Sequence, residues 1–311
     1  MPAPAGTENA VYVSLVGGLG NQMFQYAAAR GLAEKLGVPV RLDTSWFGHT
    51  PGRTFMLDRF RVDASIASTA ELSHFATPRA DWVRRRLRRV LTPAMRRHAL
   101  FNHPRVYQEP VLYVHDEALA ARRAPVLIQG YLQTERYFTH CAGKVRDAFQ
   151  LRDPLSAPSA ETLTRIEAEP WPVSLHVRRG DFAANAHFTA FHGVLPMSYY
   201  RRSTAIIDRL AGGAAHYFIF SDDPAWVASE FAWLGARTVL AGNDARPWED
   251  MALMSRCRDH IAANSSFSWW GAWLDARAEK TVIAPRYWIS RAELAKAATV
   301  DTIPDGWITL W

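Results

Sequence analysis

The chain has 311 residues, 49% of them hydrophobic, which is material for two domains of ordinary size or one large one. A formal net charge of +6 suits anionic partners: a nucleotide, nucleic acid or an anionic membrane surface. The two cysteines, Cys141 and Cys257, stand far apart, which excludes a disulfide framework or a zinc-ligand spacing and favours a reducing compartment.

No apolar run approaches the ~20 residues of a membrane span. Met1 to Asn9 lack the basic and apolar regions of a signal peptide, so a protein that is soluble, or sits on a membrane surface without crossing it, is expected. Val11 to Val16 reads as an apolar strand and runs straight into Gly17-Gly18-Leu19-Gly20-Asn21-Gln22. Met23 to Leu36 reads as a helix, with Phe24, Ala28, Leu32 and Leu36 on one face, and Gly37 stops it. Val38 to Leu42 is a second strand. This βαβ opening places a glycine-rich turn at a helix N-terminus, either a plain tight turn with a capping Asn21 or a place to hold an anion.

From Arg53 to Pro110 the pattern is irregular. Residues 79–105 hold nine arginines and one acid, Asp81. Trp82, Val83, Leu87, Val90 and Leu91 share a helical face there, ringed by arginine. Such a helix is either a solvated surface or a peripheral contact with anionic lipid. It is not patterned like a groove-reading DNA helix, and no nucleic-acid partner is expected.

Val126 to Gln133 reads as a buried strand ending in a polar, aromatic loop, and Phe138 to Phe149 as a helix. Asp153 to Ser159 is the best linker candidate and places the boundary between domains 1–155 and 156–311. In the second half, Val173, Leu175 and Val177 alternate with Ser174 and His176 as a strand, followed by Arg178-Arg179-Gly180-Asp181. Met197 to Leu210 reads as helix and His216 to Phe220 as strand, ending in Ser221-Asp222-Asp223-Pro224. A helix to Phe231, strand Thr238 to Leu240, helix Trp248 to Cys257 and strand Asp259 to Ala263 follow. Asn264-Ser265-Ser266-Phe267-Ser268 opens a helix through Leu274, and Thr281 to Ala284 is a last strand. The alternation predicts two Rossmann-like α/β domains facing a cleft.

Three polar loops of the second half follow successive strands, so a parallel sheet would put them on one edge. They offer arginines, carboxylates and helix-terminal donors, a combination suited to a nucleotide. Each residue also has a plainer reading. Asn264 or Ser265 serves as a helix cap, Asp222 as a turn residue, Trp269, Trp270 and Trp273 as core, and His176 as an interior histidine. No Asp-x-Asp, His-x-x-x-His or dense acidic cluster points to a metal, and no cofactor is expected. The charge of a departing diphosphate would then be offset by arginine and helix amides.

Six blocks resemble, in order, those of the bacterial α-1,2-fucosyltransferases, glycosyltransferase family 11. They are Gly17 to Ala27, His176 to Phe182, Phe191 to Val194, Phe220 to Asp223, Asp250 to Ser255 and Asn264 to Leu274. Phe182 stands where Tyr is commoner. The resemblance implies a GT-B fold and inverting, metal-independent transfer of L-fucose from GDP-β-L-fucose to the 2-hydroxyl of a terminal galactose. It implies that Arg178 contacts the diphosphate, supported by His176 and Arg179, and that Asp223 or Asp222 accepts from guanine. Ser265, Ser266 and Ser268, with their neighbours Asn264 and Phe267, would hold phosphate or ribose. Gly18, Gly20 and Asn21 would face the reacting sugar. Asp181 is either the base for the incoming hydroxyl or a brace for Arg178 or Arg179. The resemblance implies a cytoplasmic protein acting on a lipid-linked or polysaccharide acceptor, for which the arginine-rich run is either a solvated surface or a contact with the inner face of the membrane.

Overall fold

The structure, a computed structural model, describes residues 8–75, 103–179, 193–243, 245–289 and 301–310. Gly180, Asp181, Phe182, Phe191 and His192, together with most of the arginine-rich run, lie outside the described residues. The chain divides into two compact units, Met1–Gln150 and Leu151–Trp311.

In the first unit, strand β1 (Val11–Ser14) leads into helix α1 (Leu19–Leu36), followed by β2 (Val40–Asp43). Then come β3 (Ser65–Ile66), α2 (Thr69–Ser73), β4 (Val106–Gln108), β5 (Val126–Gln129) and α3 (Ala142–Ala148). The strands form one sheet in the order β3-β2-β1-β5-β4, with every pair parallel. Central strands of such a sheet are covered on both faces, and Val11, Tyr12 and Val13 are accordingly all buried.

In the second unit, α4 (Ala157–Ala168) precedes β6 (Trp171–Val177), α5 (Met197–Leu210), β7 (Ala215–Ser221) and α6 (Pro224–Glu230). Next are β8 (Arg237–Ala241), α7 (Pro247–Met254), β9 (Asp259–Ile261), α8 (Ser266–Leu274), β10 (Val282–Pro285) and β11 (Ile308–Leu310). The sheet order is β11-β10-β9-β6-β7-β8, again parallel throughout. Its core gathers Val173, Leu175 and Val177 with Ile219 and Ile261, against Tyr199 and Ile207 of α5. Trp269, Trp270 and Trp273 are buried and packed on one another, so they are core rather than a platform for a ligand ring.

Several sequence expectations are corrected. Helix α1 begins at Leu19, four residues before the expected Met23, so Gly20 and Asn21 form its first turn rather than a loop before it. The expected α-helix from Phe138 begins at Ala142, because Phe138 and Cys141, with φ of −137° and −127°, leave the α-helical range and Thr139–Cys141 form a 3-10 turn. The Pro/Ser linker is helical from Ala157 onward. Proline suits a first helical turn, where its missing N–H leaves no bond unmade. Strands β3, β4 and β11 were not expected: at two or three residues each they show no periodicity.

Candidate active site

The register of the second sheet builds the site. Val177 of β6 lies opposite Ser221 of β7, so the residues just past each strand end are neighbours. Arg178 Nη1 lies 3.1 Å from Asp222 Oδ2. The Arg179 amide donates to Asp222 Oδ1 at 2.9 Å. Arg179 Nε meets Asp223 Oδ2 at 3.4 Å, and its guanidinium lies 4.0 Å over the Trp226 ring. Asp223 also caps α6, accepting from the Trp226 amide at 3.2 Å, while Ser221 Oγ accepts from the Asp223 amide. Both carboxylates expected to accept from a purine thus accept from the arginines and from backbone amides. Two half-buried guanidinium groups are held at a parallel sheet's carboxyl edge, where α/β folds bind ligands.

β9, on the other side of β6, brings the third loop to the same edge. The His176 ring packs at 5.6 Å from Phe267, joining the end of β6 to the first turn of α8. Burial, reinforced by the charge of Arg178, pushes the His176 imidazole down to about 3, so it is neutral near pH 7. Its Nδ1 is buried without a hydrogen-bond partner. Ser265 caps α8, its Oγ accepting from the Phe267 amide at 3.3 Å. Ser265, Ser266 and Phe267 are half-buried at the helix N-terminus, where amide dipoles favour an anion. Asn264 and Ser268 are buried and bound inward. Asn264 Nδ2 donates to Gly193 O, and Ser268 Oγ accepts from the Ala263 amide at 3.1 Å.

Gly18, Gly20 and Asn21 belong to the first unit. Gly17 takes φ 81°, and a Cβ there would stand 2.6 Å from Asn21 Nδ2, so only glycine lets the turn close on Asn21. Gly18 is the N-cap residue of α1. Asn21 Oδ1 accepts from Gln133 Nε2 at 2.8 Å. Two fully buried glutamines frame the turn. Gln22 donates to Gly17 O and Thr54 O and accepts from the Met56 amide. Gln25 donates to Gly130 O and accepts from the Val16 amide. The sequence reading gave the side chains of Gln22, Gln25 and Gln133 no role. The available signal was two amide side chains set among Met23, Phe24, Tyr26 and Ala27 in the apolar first half of the helix.

The sequence profile of Glycosyl transferase family 11 matches residues 116–310. The chain belongs to glycosyltransferase family 11. The O-antigen biosynthesis glycosyltransferase WbnK of Escherichia coli is 31% identical to it, over 96% of this chain and 100% of that protein. An alpha-1,2-colitosyltransferase of Escherichia coli is 29% identical, over 96% and 98%. A galactoside alpha-(1,2)-fucosyltransferase 1 of Alouatta caraya is 25% identical, over 83% of this chain and 63% of that protein. The NodZ alpha-1,6-fucosyltransferase structure soaked with GDP-fucose superposes with a TM-score of 0.51 at 15% identity, covering 86% of this chain and 93% of that one. The two parallel Rossmann-like units are thus those of the GT-B fold.

The glycosyltransferase also holds a Ser-His-Asp relay. Ser174 Oγ lies 2.8 Å from His260 Nδ1, and His260 Nε2 lies 3.1 Å from Asp275 Oδ2. Burial lowers the His260 pKa. Burial works the other way on Asp275, but bonds from His260 and Arg277 outweigh it and hold that carboxyl well below its usual range. A neutral imidazole therefore donates to Asp275 and accepts from the Ser174 hydroxyl. All three side chains are enclosed, so no acyl substrate reaches the serine and the relay braces β6 against β9. Among the described residues, no group of three or more His, Cys, Asp or Glu is placed to hold a metal ion. Among them, no helix is long and apolar enough to cross a membrane.

Proposed function

We propose that this family 11 glycosyltransferase moves L-fucose from GDP-β-L-fucose to the 2-hydroxyl of a terminal galactose, with inversion and without a metal. The observation that carries the reading is the pair Arg178 and Arg179, fixed by Asp222 and Asp223 beside the N-terminus of α8. That site suits a nucleoside diphosphate. Guanidinium forks bind phosphate oxygens, and helix amides add partial positive charge without a counter-ion. As the bond from C1 of the sugar to the diphosphate breaks, Arg178 offsets the charge growing on GDP. The acceptor oxygen bonds to C1 from the opposite face, and its proton passes to a carboxylate, with Asp181 as the proposed base. His176 is neutral and contributes shape and a free ring nitrogen rather than charge.

The six ordered motif blocks and the alpha-(1,2)-fucosyltransferase relative support fucose and the 1,2 linkage. The alpha-1,2-colitosyltransferase relative favours a second reading, in which the donor carries colitose, which is L-fucose without its 3-hydroxyl. A site that hydrogen-bonds that hydroxyl would reject the deoxy sugar by about 10⁴-fold, so the two readings separate cleanly. The test is GDP release from each activated sugar on a galactoside panel, with and without chelator, and the product linkage by NMR. Chelator-resistant release from GDP-fucose and an α-1,2 product are expected. Strict dependence on Mn²⁺, or turnover of the colitose donor alone, would displace the fucosyl reading.

A further inference from the structure

In the first unit, Glu109 follows β4 directly and is 8% exposed. Its carboxylate accepts from the backbone amides of Tyr131 at 2.7 Å and Leu132 at 3.2 Å, in the loop that leaves β5. That loop holds Leu132 at φ 54°, a conformation an unbraced non-glycine residue avoids, beside Gly130 at φ 152°. A Cβ on Gly130 would stand 2.4 Å from Glu109 Cβ, so the loop rests directly on the acid. From the loop, one bond reaches helix α1 and another the glycine-rich turn at its start. Gly130 O accepts from Gln25 Nε2 at 3.0 Å, and Gln133 Nε2 donates to Asn21 Oδ1 at 2.8 Å.

Both Glu109 oxygens are needed as acceptors. A carboxylate accepts strongly at both, whereas in a carboxylic acid the hydroxyl oxygen carries a proton and accepts only weakly. The groups facing Glu109 are the Tyr131 and Leu132 amides and, further off, the phenols of Tyr113 and Tyr137. Among the described residues, no cation pairs with it. Burial pushes its carboxyl up to about 7, although the two amide bonds oppose the rise. Protonation near neutral pH therefore weakens the bond to one of the two amides.

We propose that Glu109 is a positioning residue for the transfer: its carboxylate sets the 130–133 loop, and through Gln133 that loop sets Asn21. The proposal rests on the reading above only in taking Asn21 to face the reacting sugar.

The test is a pH titration of the full-length, isotope-labelled protein by NMR, from about pH 5.5 to about pH 8.5. The Tyr131 and Leu132 amides and the Asn21 side-chain amide should move together, with one midpoint near 7. Glu109→Gln should abolish all three movements. An Asn21 signal that stays still while the loop amides titrate would overturn the proposal, and this holds in the wild-type protein even if the variant does not fold. In kinetics, kcat should fall on the acid side with the same midpoint. Glu109→Gln should lose that limb and lower kcat about tenfold, with GDP affinity unchanged. A Glu109→Gln enzyme that keeps the acid limb would also overturn the proposal. Failure of every galactoside to react would sink the transfer reading, while the NMR arm would still decide the role of Glu109.

Discussion

Arg178 and Asp222 form an ion pair at 3.1 Å across the ends of two adjacent parallel strands, and the same carboxylate anchors the Arg179 amide. Asp222 therefore orients the guanidinium proposed to meet the diphosphate. Asp222→Asn keeps an acceptor for the Arg179 amide but removes the charge. A charge-assisted bond contributes about 1.5–3 kcal/mol, so the KM for the GDP-sugar should rise by about tenfold or more. Arg178→Ala should lower kcat/KM by roughly 10²–10³. Steady-state GDP release and calorimetry with GDP measure both. Wild-type turnover in Arg178→Ala would remove that residue from the mechanism.

Asp223 carries a structural load as well, since it caps α6 at the Trp226 amide. Asp223→Ala should cost about 1 kcal/mol in urea denaturation, and Asp223→Ser should recover most of it. Ser cannot reach Arg179 with a charge, so donor affinity should stay weakened in both variants. Recovery of affinity along with stability would show that the cap alone matters.

Gln22 is fully buried, with both ends of its amide engaged. Gln22→Leu leaves the Met56 amide and the Thr54 carbonyl without that partner. Destabilisation on the order of 2–3 kcal/mol is expected in thermal unfolding. A variant as stable as wild type would mean that the turn repacks without its staple.

His176 makes stability depend on acid. In the unfolded chain the imidazole takes a proton below its ordinary 6.5, but in the folded protein only near 3. Between those values the unfolded state binds more protons, so stability falls as pH drops through the window, by roughly 5 kcal/mol in all. His176→Phe keeps a ring against Phe267 and should flatten that slope. Burial of His260 contributes in the same direction and should leave a residual slope. An unchanged pH profile in His176→Phe would show that the folded imidazole takes up its proton as readily as the unfolded one.

The arginine-rich run gives a prediction from sequence alone. Replacing Arg84, Arg85, Arg86, Arg88 and Arg89 with Gln should weaken salt-sensitive binding to anionic vesicles. Equal binding by the variant would assign the run to a solvated surface.

The alternation of apolar runs with glycine- and serine-capped segments was enough to place β1, β6, β7 and α5, because backbone periodicity is a local property of the chain. The motif residues at the ends of β6 and β7 and at the start of α8 were legible for the same reason: each sits where a strand stops. What no local pattern contains is register. That Val177 pairs with Ser221 is decided only when the strands assemble, and it turns Asp222 and Asp223 into partners of Arg178 and Arg179. Short strands such as β4, and the buried Glu109 that follows it, likewise acquire meaning only beside the distant loop at Tyr131 and Leu132. A buried carboxylate declares itself through the amides that fold around it, and those lie 22 and 23 residues away along the chain.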